Sequence, residues 1–112
     1  MIHSSAKIKN ELKLEMPKLI DYICELYQIS SEQLISTKRS EKLSEARALT
    51  ALLVRNIDSL SLEQLGAFLG RDPSGLLKLA NRLELRSLSD DSKAKLLQAA
   101  KDKIGGMSGC QA

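Results

Sequence analysis

The chain has 112 residues, enough for one domain with its own hydrophobic core, and its formal net charge is +3. One Phe, two Tyr and no Trp exclude a single-strand binder that stacks bases on aromatic side chains, and one His with two Cys excludes a zinc site. No stretch reaches membrane-spanning length and the N-terminus lacks the apolar run of a signal peptide, so we expect a cytoplasmic protein with no cofactor and no membrane contact.

The basic side chains are concentrated in the middle of the chain. Residues 36–86 hold nine basic and six acidic side chains, whereas the segments before and after them are nearly neutral. An anionic partner is therefore expected to contact this middle segment.

The first elements are an N-terminal extension and two helices. Residues 1–15 form the extension, and the pattern leaves open whether it is helical. An amphipathic helix follows, with a proline acceptable in its opening turn. Its apolar face repeats at Met16, Leu19, Ile20, Ile23 and Leu26. A short helix capped by Ser30 or Ser31 then contributes Leu34 and Ile35 to the core.

A polar loop separates these helices from a long one. The segment STKRSEK, residues 36–42, is basic and has no apolar side chain to bury, so it predicts a loop. A long helix follows from about Ser44. Its apolar face repeats at Ala46, Leu49, Thr50, Leu53 and Ile57.

Residues 61–85 predict a helix, a tight turn and a second helix. Ser61 and Gln64 form a capping box at the start of the first helix. Gly70 ends that helix where a left-handed conformation is needed, and Gly66 supplies a small residue where the two helices cross closely. An Asp-Pro pair then begins the second helix.

The second helix of this pair has an apolar side and a polar side. The apolar side consists of Leu76, Leu79, Ala80 and Leu83. The outer side consists of Arg71, Ser74, Lys78 and Arg82. A short, polar and basic outer side suits entry into the DNA major groove. The two glycines, the Asp-Pro pair and the local positive charge favour DNA binding over a helical hairpin whose basic side is merely solvated.

The last predicted helix begins near Ser89 and ends near Ile104. Two adjacent aspartates lie in its first turn, where negative charge is favoured. A frayed tail, GGMSGCQA, is expected over residues 105–112. Residues 16–104 are thus predicted to form one all-α domain of five to six helices, with a helix-turn-helix at residues 61–85.

Four segments carry a resemblance to a known family. In chain order they are YICELYQIS, LISTKRS, ARALTALLVRNI and SLEQLGAFLGRD. The stretch from Tyr22 to about Glu84 resembles the C-terminal DNA-binding domain, domain IV, of the bacterial chromosomal replication initiator DnaA, a Trp-repressor-like helix-turn-helix. A related domain occurs in REP-associated transposases. The resemblance implies a nucleoid-associated protein that binds double-stranded DNA.

The resemblance also implies roles for individual residues. In that family the basic loop reaches the minor groove and the second helix of the motif reads the major groove. The implied loop contacts are Lys38, Arg39 and Ser40, with Arg47 near phosphates. The implied base-reading positions are Asp72, Pro73, Ser74 and Gly75. We add Lys42, Lys78 and Arg82 as phosphate contacts because of their charge and position, and we expect Ser74 and Lys78 to do the polar reading of bases.

Two of the base-reading positions depart from the family. Pro73 stands where the family has a histidine, and Gly75 stands where it has a threonine. The sequence read by the initiator itself is therefore not expected to be read here. Glu41 and Glu45 also reduce the positive charge near the loop.

No catalytic set is found, so we expect a binding protein and no enzyme. The serines have no histidine to activate them apart from His3, and the sequence contains no GxxxxGK[ST] for a nucleotide. Two other functions stay open. One is a DNA-end-binding fragment of a transposase. The other is a helical interaction module, or a homodimer formed through the N-terminal helix, where Ile8, Leu12 and Leu14 belong to no core helix.

Overall fold

The computed structural model describes residues 15–57 and 59–108, with side chains up to residue 104. These ranges contain six α-helices and no strand, which confirms the all-α class. The helices are α1 Met16–Tyr27, α2 Ser31–Ile35, α3 Glu41–Arg55, α4 Leu62–Leu69, α5 Pro73–Ser87 and α6 Asp91–Ser108. Over the same ranges, no helix is both long enough and apolar enough to cross a membrane. The predictions for Ile8, Leu12 and Leu14 lie outside the described residues.

Helix α3 is the centre of the domain. Every residue from Ala46 to Val54 is buried, so this part of the helix is covered on all sides and not on the single predicted face, whereas Glu41, Lys42 and Ser44 in its first turn are exposed. The covering elements are α1, α2, α4, α5 and α6, with α5 contributing most. The hydroxyl of Thr50 donates to the carbonyl oxygen of Ala46 at 2.7 Å, which satisfies the polar group in this apolar setting.

The helix-turn-helix is formed by α4 and α5. The hydroxyl of Ser61 accepts from the Gln64 amide and the Gln64 side chain accepts from the Ser61 amide, which confirms the predicted capping box. Gly70 has φ of 66°, the left-handed conformation expected of it. Asp72 occupies the N-cap position of α5 with an extended backbone, but its side chain makes no capping hydrogen bond.

Gly66 is the point of close approach between α4 and the turn. A Cβ at this position would lie 2.6 Å from the backbone oxygen of Arg71 and 3.3 Å from two ring carbons of Pro73. The amide of Arg71 donates to the Gly66 carbonyl at 2.9 Å. The predicted need for a small residue is confirmed, because a side chain at residue 66 would force the start of α5 away from α4.

Three predicted helix ends are wrong, and one of them is the end of α3, which lies at Arg55 and leaves Ile57 outside the helix. Helix α3 begins at Glu41 and not near Ser44, because the hydroxyl of Ser40 accepts from the Leu43 amide at 3.1 Å and so caps the helix earlier. Helix α6 continues to Ser108 and not only to Ile104. Residues 105–108 of the predicted tail are therefore helical.

Candidate nucleic-acid interface

The basic loop is defined here as residues 36–40, between α2 and α3. The side chains of Lys38 and Arg39 are exposed, and neither has a hydrogen-bond or ion-pair partner within the described ranges. The backbone of the loop is held from within, since the Lys38 amide donates to the Ser36 hydroxyl at 3.3 Å and Ser40 caps α3. The two cations therefore project from a backbone segment that is tied down at both ends.

Arg47 corrects an expectation derived from the resemblance. Its side chain is 3% exposed, so it cannot reach a phosphate on the surface. Its Nε donates to the carbonyl oxygen of Leu34 at 2.8 Å, and Nη1 donates to that of Lys38 at 3.0 Å. Its Nη2 donates to the carbonyl oxygens of Ser36 at 2.6 Å and Gln33 at 3.3 Å. Arg47 thus satisfies the carbonyl groups where α2 ends and the basic loop begins.

The charge of Arg47 is held in an unfavourable environment. Burial, and then the nearby charge of Arg71, lower its pKa from the usual value. Arginine nevertheless stays protonated in proteins, and four carbonyl oxygens surround the guanidinium. The group is therefore a buried, hydrogen-bonded cation that holds the loop in place.

Arg71 lies in the turn between α4 and α5, and its side chain points towards the basic loop. Its Nη2 donates to the carbonyl oxygen of Ser36 at 3.0 Å, across 35 positions of sequence. Its Nε is buried and has no partner in the described part of the chain. Sequence patterns predict an outward, DNA-facing Arg71 and contain no signal for this contact, because the acceptor is a backbone carbonyl of a distant loop.

The outer side of α5 carries the remaining predicted contacts. Ser74, Lys78 and Arg82 are exposed, as expected for one face of a helix at this spacing. Gly75, also exposed, has open space around its missing side chain. Pro73 is half-buried, with its ring close to Gly66, so part of it belongs to the contact between the two helices.

Lys42 lies between the loop and α5. It lines one depression together with Lys38 and Arg39, and a second, larger groove together with Arg82 and Arg86 of α5. Lys38, Arg39 and Arg82 thus each share a depression with Lys42 near the start of α3, and the larger groove is also lined by Glu41, Glu45 and Asp90. Arg86 is an exposed cation of the same groove that the sequence patterns do not single out.

Glu45 lines the same groove as Lys42, Arg82 and Arg86, and its carboxylate is engaged by partners of its own. Its carboxylate accepts a hydrogen bond from the Tyr27 hydroxyl at 2.7 Å and pairs with the ammonium group of Lys93. Burial opposes ionisation, but the hydrogen bonds from Lys93 and Tyr27 outweigh it and lower the pKa of Glu45. Burial and the bond to Glu45 raise the pKa of Tyr27. The contact joins α1, α3 and α6 along this groove.

The described residues contain no group of three or more His, Cys, Asp or Glu side chains placed to hold a metal ion. The surface itself presents exposed ammonium, guanidinium and hydroxyl groups on a tied loop and a helix. Such groups bind phosphate oxygens and base edges.

Helix α4, the glycine turn and the basic outer side of α5 define a helix-turn-helix of the DNA-binding class. The model of a protein family described as the bacterial DnaA protein helix-turn-helix matches residues 16–82, which is more than half of the chain. The chain belongs to this family, and DNA binding is the class of function that membership gives it. The resemblance seen in the sequence is confirmed.

Several curated relatives carry the name chromosomal replication initiator protein DnaA. The one from Caldanaerobacter subterraneus subsp. tengcongensis is 26% identical over 100 residues, covering 88% of this chain and 23% of the relative. The one from Thermodesulfovibrio yellowstonii is 27% identical over 85 residues, covering 75% and 19%. The one from Gloeobacter violaceus is 28% identical over 87 residues, covering 77% and 20%. The chain thus spans about a fifth to a quarter of the length of these relatives.

Proposed function

We propose that the chain binds double-stranded DNA with the first turns of α5 in the major groove and the basic loop at the adjacent minor groove. The observation that carries the proposal is the hydrogen bond between Arg71 and the Ser36 carbonyl, because it joins the start of α5 to the loop. Two elements that are joined in this way can meet the same duplex together.

The phosphate contacts of the proposal come from exposed cations. They are Lys38, Arg39, Lys42, Lys78 and Arg82. Each is exposed, and Arg47 is left out because its guanidinium is buried. Contacts of this kind set the affinity and the orientation on DNA and do not depend on the base sequence.

The base-reading contacts of the proposal are few. Ser74 offers one exposed hydroxyl group near the start of α5, Gly75 offers no side chain, and the ring of Pro73 has no hydrogen-bond donor. Discrimination between base pairs should therefore be modest, because bidentate side-chain contacts provide most direct readout. Arg39 adds a preference for narrow A·T-rich minor grooves.

The proposal extends to DNA binding and not to the other activities of a replication initiator. The chain corresponds to a small part of its DnaA relatives, and its sequence has no GxxxxGK[ST]. Neither a nucleotide-dependent step nor catalysis is therefore part of the proposed role.

The test is a selection of bound duplexes from a random pool, followed by titration of the selected duplex by fluorescence anisotropy at low and physiological salt. We expect salt-sensitive binding that Lys78→Ala weakens on every duplex. The control is Lys101→Ala, which removes an exposed lysine far along α6. No salt-sensitive binding of any duplex, or equal losses from Lys78→Ala and Lys101→Ala, would contradict the proposed function.

A further inference from the structure

We propose that Arg71 is a positioning residue, which holds the basic loop at a set distance from α5 so that Arg39 reaches its groove when α5 occupies the neighbouring one. The inference rests on the proposed binding of α5 in the major groove and of the basic loop at the minor groove, called two-groove binding below. It assigns to Arg71 a role that differs from direct contact with DNA.

The first support is the position of Arg71 in the chain. Gly70 before it has a left-handed backbone, and Asp72 after it is the N-cap of α5. The amide of Arg71 is itself bound to the Gly66 carbonyl at 2.9 Å. The backbone of Arg71 is therefore fixed to the end of α4 and the start of α5, so its side chain begins from a backbone position that is held in place.

The second support is the place where that side chain ends. Nη2 of Arg71 reaches the carbonyl oxygen of Ser36, three positions before Arg39, and the residue is only half-exposed. Arg47 donates to the same oxygen from α3. One carbonyl group of the loop is thus bound from the central helix and from the turn that precedes α5, which leaves this part of the loop little freedom to move relative to either.

The third support is energetic. A free loop must be ordered when it binds, and that ordering costs affinity, whereas a loop already held in its bound position avoids the cost. The exposed side chains of Lys38 and Arg39 lack partners inside the described part of the domain, so nothing but the backbone bonds directs them. Loss of the bond from Arg71 leaves the loop tied to α3 by Arg47 but no longer to the start of α5, so it should remove much of the benefit that Arg39 brings while α5 is bound.

The experiment is a double-mutant cycle with Arg71→Met and Arg39→Ala, measured by anisotropy on an A·T-rich duplex. Positioning predicts that Arg39→Ala weakens binding about fivefold in the wild type and less than about twofold in Arg71→Met, because residues in one network are not additive. Lys78→Ala is the control, and it should weaken both backgrounds by the same factor. Thermal melting checks that each variant is folded.

The salt dependence supplies a second readout. If Arg71 contacted a phosphate itself, Arg71→Met would make the slope of log affinity against log salt shallower by about 0.9 even in the Arg39→Ala background. Positioning predicts almost no further change of slope there. Arg71→Gln, which keeps a polar group at this half-buried position, repeats the cycle in a second variant.

The outcomes separate this inference from the proposed function. Additive losses from Arg39→Ala and Arg71→Met, or an independent slope change, would overturn positioning and leave two-groove binding intact. Equal affinity of wild type and Arg39→Ala would overturn the loop contact of the proposed function, and this inference with it. Loss of folding in both Arg71 variants would overturn positioning as well, since Arg71 would then be required for the whole domain.

Discussion

Arg47 and Arg71 donate to the same backbone oxygen, that of Ser36, at 2.6 and 3.0 Å. Two like charges converge there because backbone carbonyls at the end of α2 and in the basic loop accept four hydrogen bonds from Arg47 and one from Arg71. The loop that carries the proposed minor-groove contacts is therefore held by the interior of the domain and by the turn of the helix-turn-helix.

Replacement of Arg47 by Met should destabilise the domain strongly. Four carbonyl oxygens lose the hydrogen bond from Arg47, and only that of Ser36 keeps the bond from Arg71; all four lost bonds involve atoms at least partly shielded from water. We expect a loss of about 2–4 kcal/mol in the free energy of unfolding, from the cost of unsatisfied buried groups. Urea denaturation measures it, with exposed Arg82→Met as the control. Similar losses in the two variants would show that Arg47 is not held as described.

Two glycines of the motif form a matched pair for substitution by alanine. Gly66→Ala should cost about 1–3 kcal/mol of stability, because its Cβ meets the Arg71 backbone oxygen at 2.6 Å and α5 has to shift. Gly75→Ala has open space and should stabilise the helix by up to about 0.5–1 kcal/mol. Denaturation of both variants tests the contrast. Equal stability of the two would contradict the close approach at residue 66.

The pH dependence of stability should contain a contribution from Glu45. Its folded pKa is lowered from a usual value of 4.5, so its contribution is present above that value and is lost as the pH falls through the folded pKa. We expect Glu45→Gln to flatten the loss of stability in acid below about pH 4.5. The free energy of unfolding is measured for both proteins between neutral and acidic pH. Parallel curves for the two proteins would rule out the contribution.

Salt dependence reports how many phosphates the domain neutralises. The exposed cations of the proposed interface allow about three to five contacts, which gives a slope of log affinity against log salt of about −2.7 to −4.5. Each of Lys42→Ala and Lys78→Ala should make the slope shallower by about 0.9 if its side chain contacts one phosphate. Titrations at several salt concentrations provide the slopes. A slope near zero would contradict the electrostatic part of the proposal.

Specificity should be sensitive to residue 73. Pro73 is half-buried at the start of α5 and lacks a donor, so the wild type should bind an initiator-type duplex and a scrambled one about equally. Pro73→His restores the family's donor and should favour the initiator-type duplex. Competition between the two duplexes, with Ser74→Ala for comparison, measures the preference. If the wild type already prefers the initiator-type duplex as strongly as Pro73→His, residue 73 does not face the bases.

Local sequence patterns are sufficient to predict the helices of this protein and the helix-turn-helix that two of them form. The capping box of α4, the left-handed Gly70 and the small Gly66 follow from interactions among residues a few positions apart, so local patterns predict them. The start of α3 is predicted less well, because the segment before Leu43 is polar and reads as loop, whereas Ser40 caps the helix and Leu43 is buried in its first turn.

The directions of the long basic side chains depend on contacts between distant parts of the chain. Arg39, Arg47 and Arg71 look alike in the sequence, yet Arg39 is exposed, Arg47 is buried and Arg71 is half-buried over the loop. The carbonyl oxygen of Ser36 accepts hydrogen bonds from Arg47, 11 positions away, and from Arg71, 35 positions away. These residues become neighbours only when α2 and the basic loop lie beside α3 and the turn. An arginine side chain has many rotamers of similar energy, so its direction is set by such distant partners and not by its neighbours in the chain.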